Sequence, residues 1–204
     1  LVLRKYGNTL KDSVYNQLIW AIEKLGLSSE FRATVSPMQI IYKPTGQTIY
    51  FRGLDDPLKV KSIKPKFGYI GILWFEELDQ FAGAEEIRSV EQSAKRGGGR
   101  FYVFKSFNPP ISASNWANKY ILEERDSRIV IRSDYRSVPV EWLGEEFLND
   151  AEQLKRTNER AYQHEYLGIA TGTGGNVFEN VEVRKITDEE RQSFDRIYMG
   201  VDWG

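Results

Sequence analysis

The chain has 204 residues, 41% hydrophobic and 13% aromatic, enough to bury the core of one large domain or of one domain and part of another. Its 28 basic and 29 acidic side chains nearly cancel, so any contact with nucleic acid must come from a local patch rather than from the whole field. The lack of cysteine excludes disulfide frameworks and thiolate metal sites, a single histidine (His164) leaves little room for imidazole chemistry, and no apolar run approaches the roughly 18 residues of a membrane span, so a soluble cytoplasmic protein is expected.

Leu1-Val2-Leu3-Arg4 reads as a strand already under way, and residues 198–204 read as a strand without partners, so sequence is expected on both sides. Thr9-Leu10-Lys11-Asp12 has capping-box spacing. Leu10, Val14, Leu18, Ile22 and Leu25 then share one helical face, with Gly26 as the stop. Residues 39–43 and 48–52 flank Pro44-Thr45-Gly46-Gln47, which predicts a hairpin. Residues 53–66 form a lysine-bearing loop. The continuous apolar run 69–75 predicts a central parallel strand covered on both faces. A helix over 84–95, the loop Arg96-Gly97-Gly98-Gly99 and a strand over 100–105 follow. Beyond them the pattern predicts a helix over 115–125, a strand over 128–134 and largely helical structure over 141–167. This order indicates an open α/β sheet, with 171–175 as the best linker. Trp20, Trp74, Trp116 and Trp142 are expected mostly in the core. Glu145, Glu146, Asp150 and Glu152 read as a solvated helix face.

The most informative segment is Ile70-Gly71-Ile72-Leu73-Trp74-Phe75-Glu76-Glu77. An apolar central strand delivers two adjacent carboxylates to the carboxyl edge of a sheet, where open α/β folds bind ligands. Strand alternation makes the two side chains diverge, which suits two jobs in a nucleotide hydrolase: Glu76 in the Mg²⁺ shell and Glu77 on the attacking water. The next strand ends in Ser106-Phe107-Asn108-Pro109-Pro110, where Ser106 and Asn108 could sense a γ-phosphate. Solvated glutamates and an ordinary Asn-Pro turn are the plainer readings of the same residues.

Glu76-Glu77 after an apolar strand, about thirty residues before Ser-Phe-Asn-Pro, resembles the Walker B and coupling motifs of phage terminase large subunits. Arg4-Lys5-Tyr6-Gly7-Asn8-Thr9-Leu10-Lys11-Asp12-Ser13-Val14 resembles that family's segment after the P-loop helix. Gly53-Leu54-Asp55-Asp56 with Lys59-Val60-Lys61-Ser62 resembles its loop into the Walker B strand, and Gly174-Gly175-Asn176-Val177-Phe178 its passage into the nuclease. The resemblance implies a RecA-like P-loop NTPase sheet over 1–170 and a linker over 171–195. Residues 196–204 would be the first strand of an RNase H-like nuclease, in which Asp202 would help hold Mg²⁺ or Mn²⁺. It also implies ATP with Mg²⁺, double-stranded DNA, a portal protein, a small terminase subunit, a ring of like subunits and the bacterial host cytoplasm.

The pattern also departs from the family. No Gly-x-x-x-x-Gly-Lys-Ser/Thr occurs, so the phosphate cradle is expected upstream of Leu1 and these residues alone are not expected to hydrolyse ATP. The loop that often carries a trans-acting arginine holds Lys59, Lys61, Lys64 and Lys66 instead; these lysines could touch DNA phosphates, and Arg4, Arg96 and Arg100 are other trans-acting candidates. The rivals are another P-loop ATPase, helicase-like and acting on nucleic acid, and an assembly module with an inert acidic strand end.

Overall fold

The computed structural model describes residues 1–55, 63–172 and 187–193. Strands β1 (Val2–Arg4), β2 (Phe31–Val35), β3 (Met38–Tyr42), β4 (Thr48–Gly53), β5 (Ile72–Glu76) and β6 (Tyr102–Ser106) form one sheet in the order β2-β3-β4-β1-β5-β6. β1 runs parallel to both β4 and β5, and β5 runs parallel to β6, while β2, β3 and β4 form an antiparallel meander. The parallel half therefore needs a crossover, supplied between β5 and β6 by helix α2 (Ala84–Ala94).

Alternation along the strands sorts the core into two faces. Leu1, Leu3, Leu73 and Phe75 pack with Ile87 and Val90 of α2, whereas Val2 and Phe51 pack with Leu10, Val14 and Tyr15 on the opposite side. Helix α1 (Asn16–Lys24) lies along that second face. β4 and β1 converge at their carboxyl ends so closely that a Cβ on Gly53 would fall 2.4 Å from the backbone nitrogen of Gly7. Only glycine fits there.

Past the sheet, α3 (Trp116–Leu122) is capped by Asn115, whose side chain accepts from the Ala117 N–H. Helices α4 (Val140–Leu143), α5 (Glu145–Thr157) and α6 (Glu159–Glu165) follow. The chain divides into compact units Leu1–Gly174 and Gly175–Gly204. In the second, the short helix α7 (Asp188–Gln192) begins with a capping box between Thr187 and Glu190.

Several expectations from the pattern are corrected. The single helix after Thr9 is a 3₁₀ turn, a π turn over Lys11–Tyr15 and then α1, and Thr9 makes no capping box because its hydroxyl donates to the Tyr6 carbonyl. β2 was not anticipated. Residues 128–134 form no strand. Ile129 and Ile131 are 87% and 86% exposed, and no described strand lies alongside to pair with them. What orders this region is an aromatic cluster in which Tyr135 meets Phe147 and Tyr166 at ring distances of 5.8 and 5.7 Å. The 141–167 stretch, by contrast, is largely helical as expected, as three helices broken at Gly144 and Asn158. Trp142 and Trp20 are exposed rather than core, and β5 buries Leu73 and Phe75 on one face while Ile72 stays exposed on the other. Among the described residues no helix is long and apolar enough to cross a membrane.

Candidate functional site

The register of the parallel strands sets the site. Leu3 pairs with Phe75, so Arg4 stands one step further along β1, level with Glu76, and Glu76 pairs directly with Ser106. Arg4, Glu76 and Ser106 thus form a row across three strands at their carboxyl ends, the ligand-binding edge of an open α/β sheet. The Arg4 Nε lies 2.6 Å from Glu76 Oε2, and one of its terminal nitrogens lies 3.6 Å from Glu77 Oε1. The guanidinium side chain is 11% exposed and the two carboxylate side chains 21% and 27%, so the pair is held but still reachable from solvent.

Two local distortions support this arrangement. Glu77 adopts a left-handed backbone (φ 56°, ψ 56°), which costs a non-glycine residue about 1–2 kcal/mol and is retained here between buried Phe75 and buried Leu78. The turn brings the Glu77 carboxylate back to the same guanidinium that Glu76 meets. The divergence expected from strand alternation is therefore corrected. The second distortion is the π turn, which carries Ser13 at φ −116°, ψ −106°. The Arg4 side chain donates to Ser13 Oγ at 3.0 Å and to the Thr9 carbonyl at 3.4 Å, so four groups fix its orientation.

The electrostatics follow from burial. Loss of water around Glu76 pushes its carboxyl above the ordinary glutamate range; Arg4 opposes this, and Glu77 and Asp79 add to it. Asp79, just beyond the turn, has a buried Oδ1 with no hydrogen-bond partner among the described residues. An open pocket of about 490 Å³ adjoins Glu76 and is lined also by Asp12, Ser13, Trp20 and Trp74. Among the described residues no three His, Cys, Asp or Glu side chains close into a metal cage. Glu76 and the unpartnered Asp79 Oδ1 are hard oxygens, which suit Mg²⁺, an ion that keeps waters and takes phosphate oxygens for its remaining positions.

The coupling strand is tied to the same edge. Trp74 Nε1 donates to Ser106 Oγ at 2.8 Å, and Asn108 lies exposed two residues on. Buried Asn118 of α3 fastens the chain beyond the double proline by donating to the carbonyls of Pro110 and Ser112, each at 2.8 Å. Sequence reasoning missed Asn118 and Asp79. A polar residue on the apolar side of a short helix was the available signal for Asn118, and acid spacing after Glu76 for Asp79.

The other predicted residues do not join this cluster. Arg4, expected as a DNA-contacting or trans-acting candidate, is the exception: it lies within the cluster, its guanidinium buried against the acidic pair. Lys64 is exposed in the loop before β5 and forms no hydrogen bond or ion pair with the cluster. Lys59, Lys61 and Asp202 lie outside the described residues.

A mostly parallel sheet with a carboxylate pair at the end of one strand and Ser-Phe-Asn-Pro at the end of the next places the protein in the P-loop NTPase class of α/β folds. The chain belongs to the phage terminase large subunit family, whose model matches residues 1–169. It is 39% identical to the large terminase subunit of Bacillus phage SPP1 over its whole length, covering 50% of that protein. It is also 28% identical to the PBSX phage terminase large subunit of Bacillus subtilis strain 168, over 64% of this chain and 29% of that one. The chain thus spans half or less of the length of these relatives. The crystal structure of the HK97 bacteriophage large terminase shares the fold, with a TM-score of 0.53 and 12% identity over 84% of this chain and 39% of that one.

Proposed function

We propose that these residues form the hydrolytic half of an ATP-driven motor that moves double-stranded DNA into a viral procapsid. The observation that carries the reading is the row Arg4–Glu76–Ser106, with Glu77 turned back onto it by its left-handed backbone. Glu76 and Asp79 would hold a Mg²⁺ ion, whose charge would offset that of the β- and γ-phosphates. Glu77 orients the attacking water and accepts its proton. Arg4 holds both carboxylates at the strand end. Ser106 and Asn108 sense the γ-phosphate, and the Asn118 clasp carries the loss of that phosphate into α3.

The phosphate cradle comes from sequence beyond these residues, so turnover belongs to the full-length protein. There, Asp202 contributes to a nuclease that cuts concatemeric DNA with Mg²⁺ or Mn²⁺. The working assembly is a ring of like subunits with a portal protein and a small terminase subunit, in the bacterial host cytoplasm.

Replacing Glu77 with Gln in the full-length protein tests the reading. ATP turnover is expected to fall by a factor on the order of 10³ while nucleotide binding persists. Turnover near the wild-type level would leave the acidic strand end inert and overturn the proposal.

A further inference from the structure

The opposite end of the same two strands carries a different charge pattern. Residues 63–71 lead into β5 and residues 95–105 lead into and through β6. Together they hold Lys64, Lys66, Lys95, Arg96, Arg100 and Lys105 without one carboxylate, in a chain whose net charge is −1. Lys95 and Lys105 are satisfied by Glu91 at 2.9 and 2.7 Å. Lys64, Lys66, Arg96 and Arg100 are exposed and form no ion pair among the described residues.

The two loops are joined by contact. The Tyr69 ring lies on Gly98 so closely that a Cβ there would fall 2.2 Å from a ring carbon, and the same ring meets Phe101 edge-on at 5.5 Å. Phe67, Tyr69 and Tyr102 stay exposed beside the cations. Gly97, Gly98 and Gly99 present backbone N–H groups that find no acceptor among the described residues. Cationic side chains, bare amide donors and exposed aromatic rings on one surface match a nucleic-acid backbone, which offers phosphate oxygens to the donors and sugars to the rings.

We infer that the two loops at the amino-terminal edge of β5 and β6 grip the phosphate backbone of duplex DNA. The inference rests on the motor reading for the identity of the polyanion. The grip sits about 13 Å from the acidic pair, the length of four strand steps, so rigid β5 and β6 span nucleotide and track. Contacts to phosphate of this kind position the duplex and carry no sequence information.

The test compares the full-length wild-type protein with Lys64→Gln/Lys66→Gln, Arg96→Gln/Arg100→Gln and the fourfold variant, by fluorescence anisotropy on a labelled duplex over a salt series. Arg32→Glu/Lys43→Glu, on exposed positions at the far edge of the sheet, matches the fourfold variant in charge change. The fourfold variant is expected to bind at least ten-fold more weakly, with a salt slope shallower by about 3–4, and each pair variant about half of that. Thermal melting confirms folding, and the paired variants carry the test if the fourfold protein melts early. Equal affinity and slope in the variants and the wild type would overturn the inference, as would an equal loss in the far-edge control. A wild-type protein that ignores duplex at every salt would overturn the surface and the motor reading together. Displacement of duplex by poly-glutamate at equal charge concentration would assign the surface to an acidic protein and overturn the inference.

Discussion

The two ends of β5 use charge in opposite ways. At the carboxyl end, Arg4 is ion-paired with Glu76 and Glu77 in a partly dry setting, and its side chain is fixed further by Ser13 and the Thr9 carbonyl. At the amino end, Lys64, Lys66, Arg96 and Arg100 stand in water without an ion pair among the described residues. Preorganised charge is what chemistry on a fixed reacting atom requires, because nothing then has to reorganise during the reaction. Loose surface charge is what a sliding contact requires, because no geometry must be reproduced at each step. One strand thus separates a rigid site from a permissive one.

The sharpest way to break the contrast is at Arg4. Arg4→Ala leaves Glu76 partly buried without a counter-charge and is expected to destabilise the fold by about 2–4 kcal/mol, read as a lower denaturant midpoint. Added Mg²⁺ is expected to recover part of that loss by replacing the missing cation. At the other end, Gly98→Ala forces the Tyr69 ring off its seat. An expected loss of about 1–2 kcal/mol, accompanied by a rise in Tyr69 accessibility to chemical labelling, follows from the clash. The smallest effect is the most specific. Because the folded-state value of Glu76 is raised, ionising it costs the folded state stability. That cost is fully present above the raised value and disappears below the ordinary glutamate range. The stability difference between Glu76→Gln and wild type should therefore shift in favour of the variant as pH rises through that window, by about 1 kcal/mol, in melts measured without metal. A difference independent of pH would mean that the carboxyl is not perturbed.

Much of the carboxyl end was legible in the chain because its signals are local. An apolar run followed by Glu76-Glu77, and a second followed by Ser106, need only strand propensity and position to be placed at one edge. The role of Arg4 was not legible. Its partner lies about seventy residues away, and the parallel register that aligns them is set by the sheet as a whole. The left-handed turn at Glu77 was hidden because glutamate gives no hint of a conformation that favours glycine. β2 escaped because Phe31, Ala33 and Val35 alternate over only five residues and gain their place by pairing with β3. Residues 128–134 misled for the converse reason, since β-branched residues predict a strand only where a neighbouring edge exists to receive it.

The division of labour between the two glutamates is tested most directly by titrating Mn²⁺, as a spectroscopic stand-in for Mg²⁺, into the full-length protein loaded with a non-hydrolysable ATP analogue. Glu76→Gln is expected to weaken Mn²⁺ binding about ten-fold or more, while Glu77→Gln leaves it within about two-fold of wild type. Equal Mn²⁺ affinity in the wild type and Glu76→Gln, or a loss confined to Glu77→Gln, would contradict the assignment.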